Sequence, residues 1–125
     1  MNRSTASLSA VGLVLGLVGC GGGRTGSANP APANPDLTVV GLDIKLDKTE
    51  YDAKAGDVKI AYTDKGKQSH SLIIEDANKK RVGVRLAVDP GESAGQTVTL
   101  APGTYLMYCD VPGHRQSMNA KLVVG

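Results

Sequence analysis

From Leu37 to the C-terminus, apolar and polar residues alternate in short runs broken by turn residues. Strict alternation sends successive side chains to opposite faces of an extended strand, whereas a helix repeats its apolar face every three to four positions. No window here carries the helical period. Residues 37–46 form the first run, with Val40, Leu42, Ile44 and Leu46 expected on one face and Asp43 and Lys45 on the other. Ala55-Gly56-Asp57 reads as a turn into an alternating strand over residues 58–62. Asp64-Lys65-Gly66-Lys67 is a polar loop leading to His70, and the β-branched run 71–74 is a strand that stops at Glu75-Asp76. Strands are further expected over 81–86, 96–100, 104–108 and 119–124, with turns at Asp89-Pro90-Gly91-Glu92 and Ala101-Pro102-Gly103. Short strands at this spacing predict an all-β fold, an antiparallel Greek-key sandwich or barrel.

The first 36 residues follow a different pattern. Arg3 precedes a short apolar run, residues 10–18, too brief for the roughly 20 residues that a bilayer-spanning helix requires. The run ends in Leu17-Val18-Gly19-Cys20, which resembles a bacterial lipobox. That resemblance implies a signal peptide over residues 1–19, cleavage before Cys20 and a diacylglyceryl group on its sulfur. Residues 20–36 then read as the lipidated cysteine and a tether, Gly- and Ser-rich at first and stiffened by three prolines afterwards. The folded domain is expected over residues 37–125, in the usual size range for one domain.

Composition narrows the function. Lys plus Arg number 14 against 12 acidic residues, too even a balance for a nucleic-acid partner. Trp and Phe are absent and Tyr numbers four, so Val, Leu, Ile and Ala must build the core. Such a core is modest, and a bound metal would help to staple it. The chain has two cysteines. With lipid on Cys20, Cys109 has no disulfide partner, and a lone thiol in an exported protein asks for a reason.

Metal ligation supplies one. Cys109, His114 and Met118 lie in one stretch with four and then three residues between them, and His70 is the only other histidine. Thiolate, imidazole and thioether are the soft and borderline ligands that select copper over hard cations, and two His, one Cys and a weak axial Met form the blue-copper electron-transfer set. Cys109 ends one expected strand and His70 begins another, so both can present ligands at the same end of a sandwich. Cys109 is in register with Tyr105 and Met107, and Pro112-Gly113 gives the intervening loop a stiff turn.

Gly103-Thr104-Tyr105-Leu106-Met107-Tyr108-Cys109, followed by Val111-Pro112-Gly113-His114 and Met118, resembles the ligand loop of the cupredoxins, the small blue copper proteins. The spacing is similar to azurin rather than plastocyanin, although the disulfide and long flap of azurin have no counterpart. Ala55-Gly56-Asp57-Val58, Ser69-His70-Ser71 and Pro90-Gly91-Glu92 also fit the family. The resemblance implies one type 1 copper per chain, held by Cys109, His70, His114 and, weakly, Met118. It implies a distant axial contact from the carbonyl of Ser69. It also casts the backbone amides of Ser71 and Val111 as hydrogen-bond donors to the Cys109 sulfur, where such donors raise the reduction potential. The family usually has Asn where this chain has Ser71, so a looser loop or a compensating bond is expected.

The resulting expectation is a monomeric, membrane-tethered carrier of single electrons between exported redox proteins, and not an enzyme. It would be lipid-anchored to a bacterial membrane, in the periplasm or on the extracytoplasmic face of the cell membrane. His114 is the expected electron port, with Val111, Pro112 and Gly113 as an apolar docking rim and Arg115 favouring acidic partners. A copper-delivery protein is the alternative, but a mixed buried ligand set favours retention over exchange, and Met- or His-rich stretches are lacking. A copper oxidase or reductase needs further histidines for a second centre. A Cys109–His114 nucleophile lacks a third orienting group.

Overall fold

The computed structural model describes residues 29–125. The signal segment, Cys20 and the first part of the tether lie outside the described residues. The chain runs through strands β1 (Leu37–Leu42), β2 (Lys45–Leu46), β3 (Glu50–Ala53), β4 (Gly56–Asp64), β5 (His70–Glu75), β6 (Arg81–Val88), β7 (Ser93–Leu100), β8 (Gly103–Tyr108) and β9 (Asn119–Val124). They form a four-stranded sheet in the order β2-β1-β4-β7 and a five-stranded sheet in the order β3-β9-β8-β5-β6. The all-β sandwich is as expected, but its pairing is mixed. β1 runs parallel to β4, and β3 runs parallel to β9. Alternation records which residues face the core, not which strand lies alongside, so strand direction was not readable from it. Strand β3 also escaped the sequence reading, because a four-residue run with one apolar anchor, Tyr51, is too short to show a period.

The first run departs from its expected face. β1 stops at Leu42, and Asp43-Ile44 form a two-residue turn into β2, with Leu42 opposite Lys45. The buried positions are therefore Leu37, Val39 and Gly41, the opposite set from the one the alternation suggested, and burial resumes at Leu46. Ile44 sits at the turn with φ 62° and is 43% exposed. A β-branched residue at positive φ is strained. The apolar pattern ran unbroken through a turn because this Ile occupies a place that Gly or Asn normally fills.

The core between the sheets joins Leu37, Val39, Val58, Ile60 and Tyr62 to Leu72, Ile74, Leu86, Tyr105, Met107, Leu122 and Val124. β5 is buried on both faces over its whole length. His70, Leu72 and Ile74 share one face, and Leu72 and Ile74 belong to the core. Ser71, Ile73 and Glu75 face the other way and are covered by the segment after β8, through Asp110 on Ser71 and Arg115 on Glu75.

Residues 29–36 were expected in the tether, yet they lie against the four-stranded sheet. The Asn29 carbonyl accepts from Gly95 N (3.1 Å), Asp36 N donates to Lys59 O (2.8 Å) and Asp36 Oδ2 accepts from Lys59 N (2.9 Å). The strap crosses the outer face where Ala61 of β4 pairs with Gly95 of β7. These two face away from the core, since their neighbours Ile60 and Ala94 point into it. Both are nonetheless buried. A Cβ on Gly95 would stand 2.3 Å from Pro32 Cδ and 2.8 Å from Ala31 Cα. Gly95→Ala is thus expected to lift the strap, costing about 1–3 kcal/mol as overpacking does. Limited proteolysis within residues 29–36 should accelerate, and equal cleavage rates would show that the strap is not held there.

Candidate metal centre

Three elements converge at one end of the sandwich. β5 opens with His70, β8 hands the chain to Cys109, and β9 begins just after Met118. The connecting loop is held by its own backbone. His114 N donates to Val111 O (3.0 Å) across a turn with Pro112 second and Gly113, at φ 85°, third. That is the residue order a type II turn demands, since only the third position needs positive φ. Met118 N then donates to His114 O (2.8 Å), and Cys109 N to Met118 O (3.1 Å), closing the loop on itself. Asn119 Nδ2 donates to the carbonyls of Arg115 and Gln116, both at 3.0 Å.

Inside this loop the ligating atoms of His70, Cys109 and His114 all lie within 4.8 Å of one another. Cys109 Sγ is 3.8 Å from His114 Nδ1, and the two imidazoles stand with centroids 5.2 Å apart at 52°. Cys109 is a free thiol and fully buried; His70 is 1% exposed and His114 8%. Both ring nitrogens of His70 are buried without a hydrogen-bond partner. Buried polar groups are rarely left so unless something else binds them. Met118, fully buried, packs in the same core cluster as Cys109. The hydroxyl of Ser69 is turned outward to Asp89 Oδ1 at 2.6 Å.

The Cys109 sulfur accepts from Ser71 N (3.3 Å) and lies 3.6 Å from Ser71 Oγ. Of the two amides expected to donate to the sulfur, Ser71 N does so, and the Val111 carbonyl accepts from His114 N. The bond expected to compensate for Ser71 is present. Its hydroxyl donates to Asp110 Oδ1 (2.5 Å) and accepts from Asp110 N (2.9 Å), tying β5 to the loop. Burial pushes the Asp110 carboxyl up, but the Ser71 hydrogen bond and the Arg85 charge outweigh it and hold the group below its ordinary range. Arg85 Nε stands 3.3 Å from Asp110 Oδ2.

A second brace was not visible in the sequence. Tyr108 donates to Glu75 Oε1 (2.6 Å), Arg115 Nη2 lies 3.4 Å from Glu75 Oε2, and the Arg115 guanidinium stacks 4.0 Å over the Tyr108 ring. Burial, together with the Glu75 carboxylate, raises the Tyr108 phenol above its ordinary pKa. Arg115, read from sequence as a partner-facing charge, is thus also a clamp between the loop and the strand that carries Cys109. Asp64 was likewise missed. It is fully buried, its Oδ1 accepts from Gly66 N (2.8 Å) and stands 3.9 Å from His70 Nε2. Its position before a polar loop suggested only a turn. The telling sign in the sequence was its in-phase place after Val58, Ile60 and Tyr62, which marks it as core-facing.

A thiolate and two imidazoles, buried together, are the donors that suit a single type 1 copper. The fold agrees. An azurin from Methylomonas sp. strain J superposes with a TM-score of 0.63, covering 70% of this chain and 95% of that one at 14% identity. Auracyanin from Roseiflexus castenholzii gives 0.66, covering 75% and 99% at 18% identity. At these identities the likeness concerns the fold alone. No family model matches the chain. Its sequence is 30% identical over 153 aligned positions to auracyanin A of Chloroflexus aurantiacus, spanning 95% of this chain and 93% of that protein. The chain belongs to the cupredoxins, the small blue copper proteins. Auracyanin A, itself described as a blue copper protein, superposes with a TM-score of 0.64 over 74% of this chain and all of its own, at 27% identity.

Proposed function

We propose that this protein carries single electrons between exported redox partners from a lipid anchor on Cys20, with His70, Cys109, His114 and Met118 as the copper ligands. The observation that carries the reading is the buried convergence of His70, Cys109 and His114 within 4.8 Å. Copper, when bound, supplies the one-electron couple. Cys109 acts as thiolate, and the Ser71 N–H offsets part of its charge. The loop is fixed by its backbone bonds and by the Asp110 and Glu75 braces, so its donors need not move far between oxidation states. Burial excludes water, and His114, the least buried of the four at 8% exposure, would give the electron its exit, rimmed by Val111, Pro112 and Gly113. The carbonyl of Ser69 would be a further, weak donor to the metal.

Anchoring on Cys20 rests on the lipobox-like Leu17-Val18-Gly19-Cys20 and the short apolar run before it. Residues 1–19 are then removed as a signal, and the tether leads to the cupredoxin domain on the outer side of the membrane. The protein works as a monomer, and its partners dock briefly; no enzymatic step is assigned to it. Copper delivery is the weaker reading, because a site exposed by no more than 8% at any of His70, Cys109, His114 and Met118 is built for retention.

The test is the visible absorption of the protein loaded with copper(II). An intense blue thiolate-to-copper band, bleached reversibly by a mild reductant and absent from Cys109→Ser, is the expected result. A pale spectrum indifferent to Cys109 would overturn the electron-carrier site.

A further inference from the structure

We propose that Asp64 is the positioning residue of His70: its carboxylate accepts the His70 Nε2–H and so leaves Nδ1 to face Cys109 and His114. The assignment rests on the copper reading of His70. Four buried side-chain polar atoms among the described residues have no hydrogen-bond partner. They are Tyr62 Oη, Asp64 Oδ2 and the two ring nitrogens of His70. Three of the four therefore belong to one acid and one imidazole that stand 3.9 Å apart. A buried donor or acceptor left alone is unfavourable, and these two groups are chemically complementary. At 3.9 Å the gap is longer than a hydrogen bond, so the assignment requires the imidazole and the carboxylate to draw together.

Among the described residues Asp64 is the one carboxylate that comes as close as 3.9 Å to a His70 ring nitrogen. Two other carboxylates act on it, Asp43 and Asp89. Asp43 Oδ1 accepts from Lys67 N at 2.6 Å, and Asp89 Oδ1 accepts from the Ser69 hydroxyl at 2.6 Å. The Asp64 oxygen nearest His70 Nε2 is Oδ1, which Gly66 N–H also binds at 2.8 Å, and Oδ2 is buried without a partner. Its backbone is clamped as well, Asp64 N to Glu92 O (2.9 Å) and Gly91 N to Asp64 O (2.8 Å). Gly66 leaves the approach open, since a Cβ there would stand 2.9 Å from His70 Nε2. A neutral imidazole carries one N–H, so an acceptor at Nε2 decides that Nδ1 holds the lone pair. Metal-ligating histidines are commonly oriented in this way, and losing the outer partner costs roughly 10–100-fold in metal affinity.

The test uses the full chain with its histidine rings labelled for nitrogen NMR. In the metal-free wild type, His70 is expected as the Nε2–H tautomer with a slowly exchanging ring proton. Asp64→Asn keeps an oxygen for Gly66 N–H, and hence the turn, but removes the charge. Exchange of the ring proton is expected to quicken at least tenfold, and copper(I) to pass to a competing chelator with affinity reduced about 10–100-fold. A His70 proton on Nδ1 in the metal-free wild type would overturn the assignment, with no variant needed. So would an Asp64→Asn protein that stays blue with unchanged ring-proton exchange and copper retention. A wild type that takes up copper without a blue band would instead remove the copper reading, and the metal-free tautomer would still decide the role of Asp64.

Discussion

Saturating copper(II) is expected to raise the melting temperature of the wild-type chain by about 15–30 °C, and Cys109→Ser to lose most of that gain. A ligand held by the native state alone stabilises it by about 4 kcal/mol at a thousand times its dissociation constant, and each kcal/mol moves the midpoint of a domain this size by roughly 4–8 °C. The effect should be large here because the apolar core contains no Phe and no Trp. The two ring nitrogens of His70 are also buried without a hydrogen-bond partner. Serine preserves the shape at position 109 but offers no soft thiolate, so the variant separates metal binding from packing. The measurement is a thermal melt with and without copper. A wild-type midpoint that copper moves by less than about 5 °C would mean that the cluster does not hold the metal tightly.

Leu72→Ala is expected to cost about 2–5 kcal/mol, a large share of the roughly 5–15 kcal/mol that holds a domain of this kind together. Leu72 is fully buried in β5, opposite Leu86 of β6. Neither face of β5 reaches solvent, so the cavity cannot be filled by a shift toward water. Leu72 also shares its face with His70, two residues before it, so the loss reaches the metal end. Denaturant unfolding of the metal-free variant checks the stability. A variant within about 1 kcal/mol of wild type would imply a core that collapses freely around β5. Copper should restore part of the loss, because binding draws the equilibrium back to the native state.

The sequence made the fold class legible because alternation and turn residues are local signals. Seven strands were visible that way. What failed were the features that alternation does not encode: the parallel pairs β1–β4 and β3–β9, the short β3, and the face of β1, where Ile44 hid a turn inside an apolar run. At the metal end, the convergence of Cys109 and His114 was readable from spacing and that of His70 from its being the remaining histidine. Asp64, Asp110, Glu75 and Tyr108 were not, because each acts through a partner 33 to 39 positions away in Tyr108–Glu75 and Ser71–Asp110, or across a loop in Asp64–His70. Such side chains look like ordinary surface or turn residues until the strands are assembled. Ser71 shows the middle case. The need for a compensating bond followed from its short side chain, while Asp110 as the provider did not.

The strap over Ala61 and Gly95 changes how far the domain can stray. With residues 29–36 fastened to the sheet, only residues 21–28 separate it from Cys20. Eight residues extend to at most about 26–29 Å, half of what the sixteen from 21 to 36 would give. On the lipid-anchored reading, the copper domain is a short-leashed rotor that sweeps a thin layer above the bilayer. It would meet membrane-embedded partners by lateral diffusion in two dimensions, and soluble partners would have to enter that layer to exchange electrons with it.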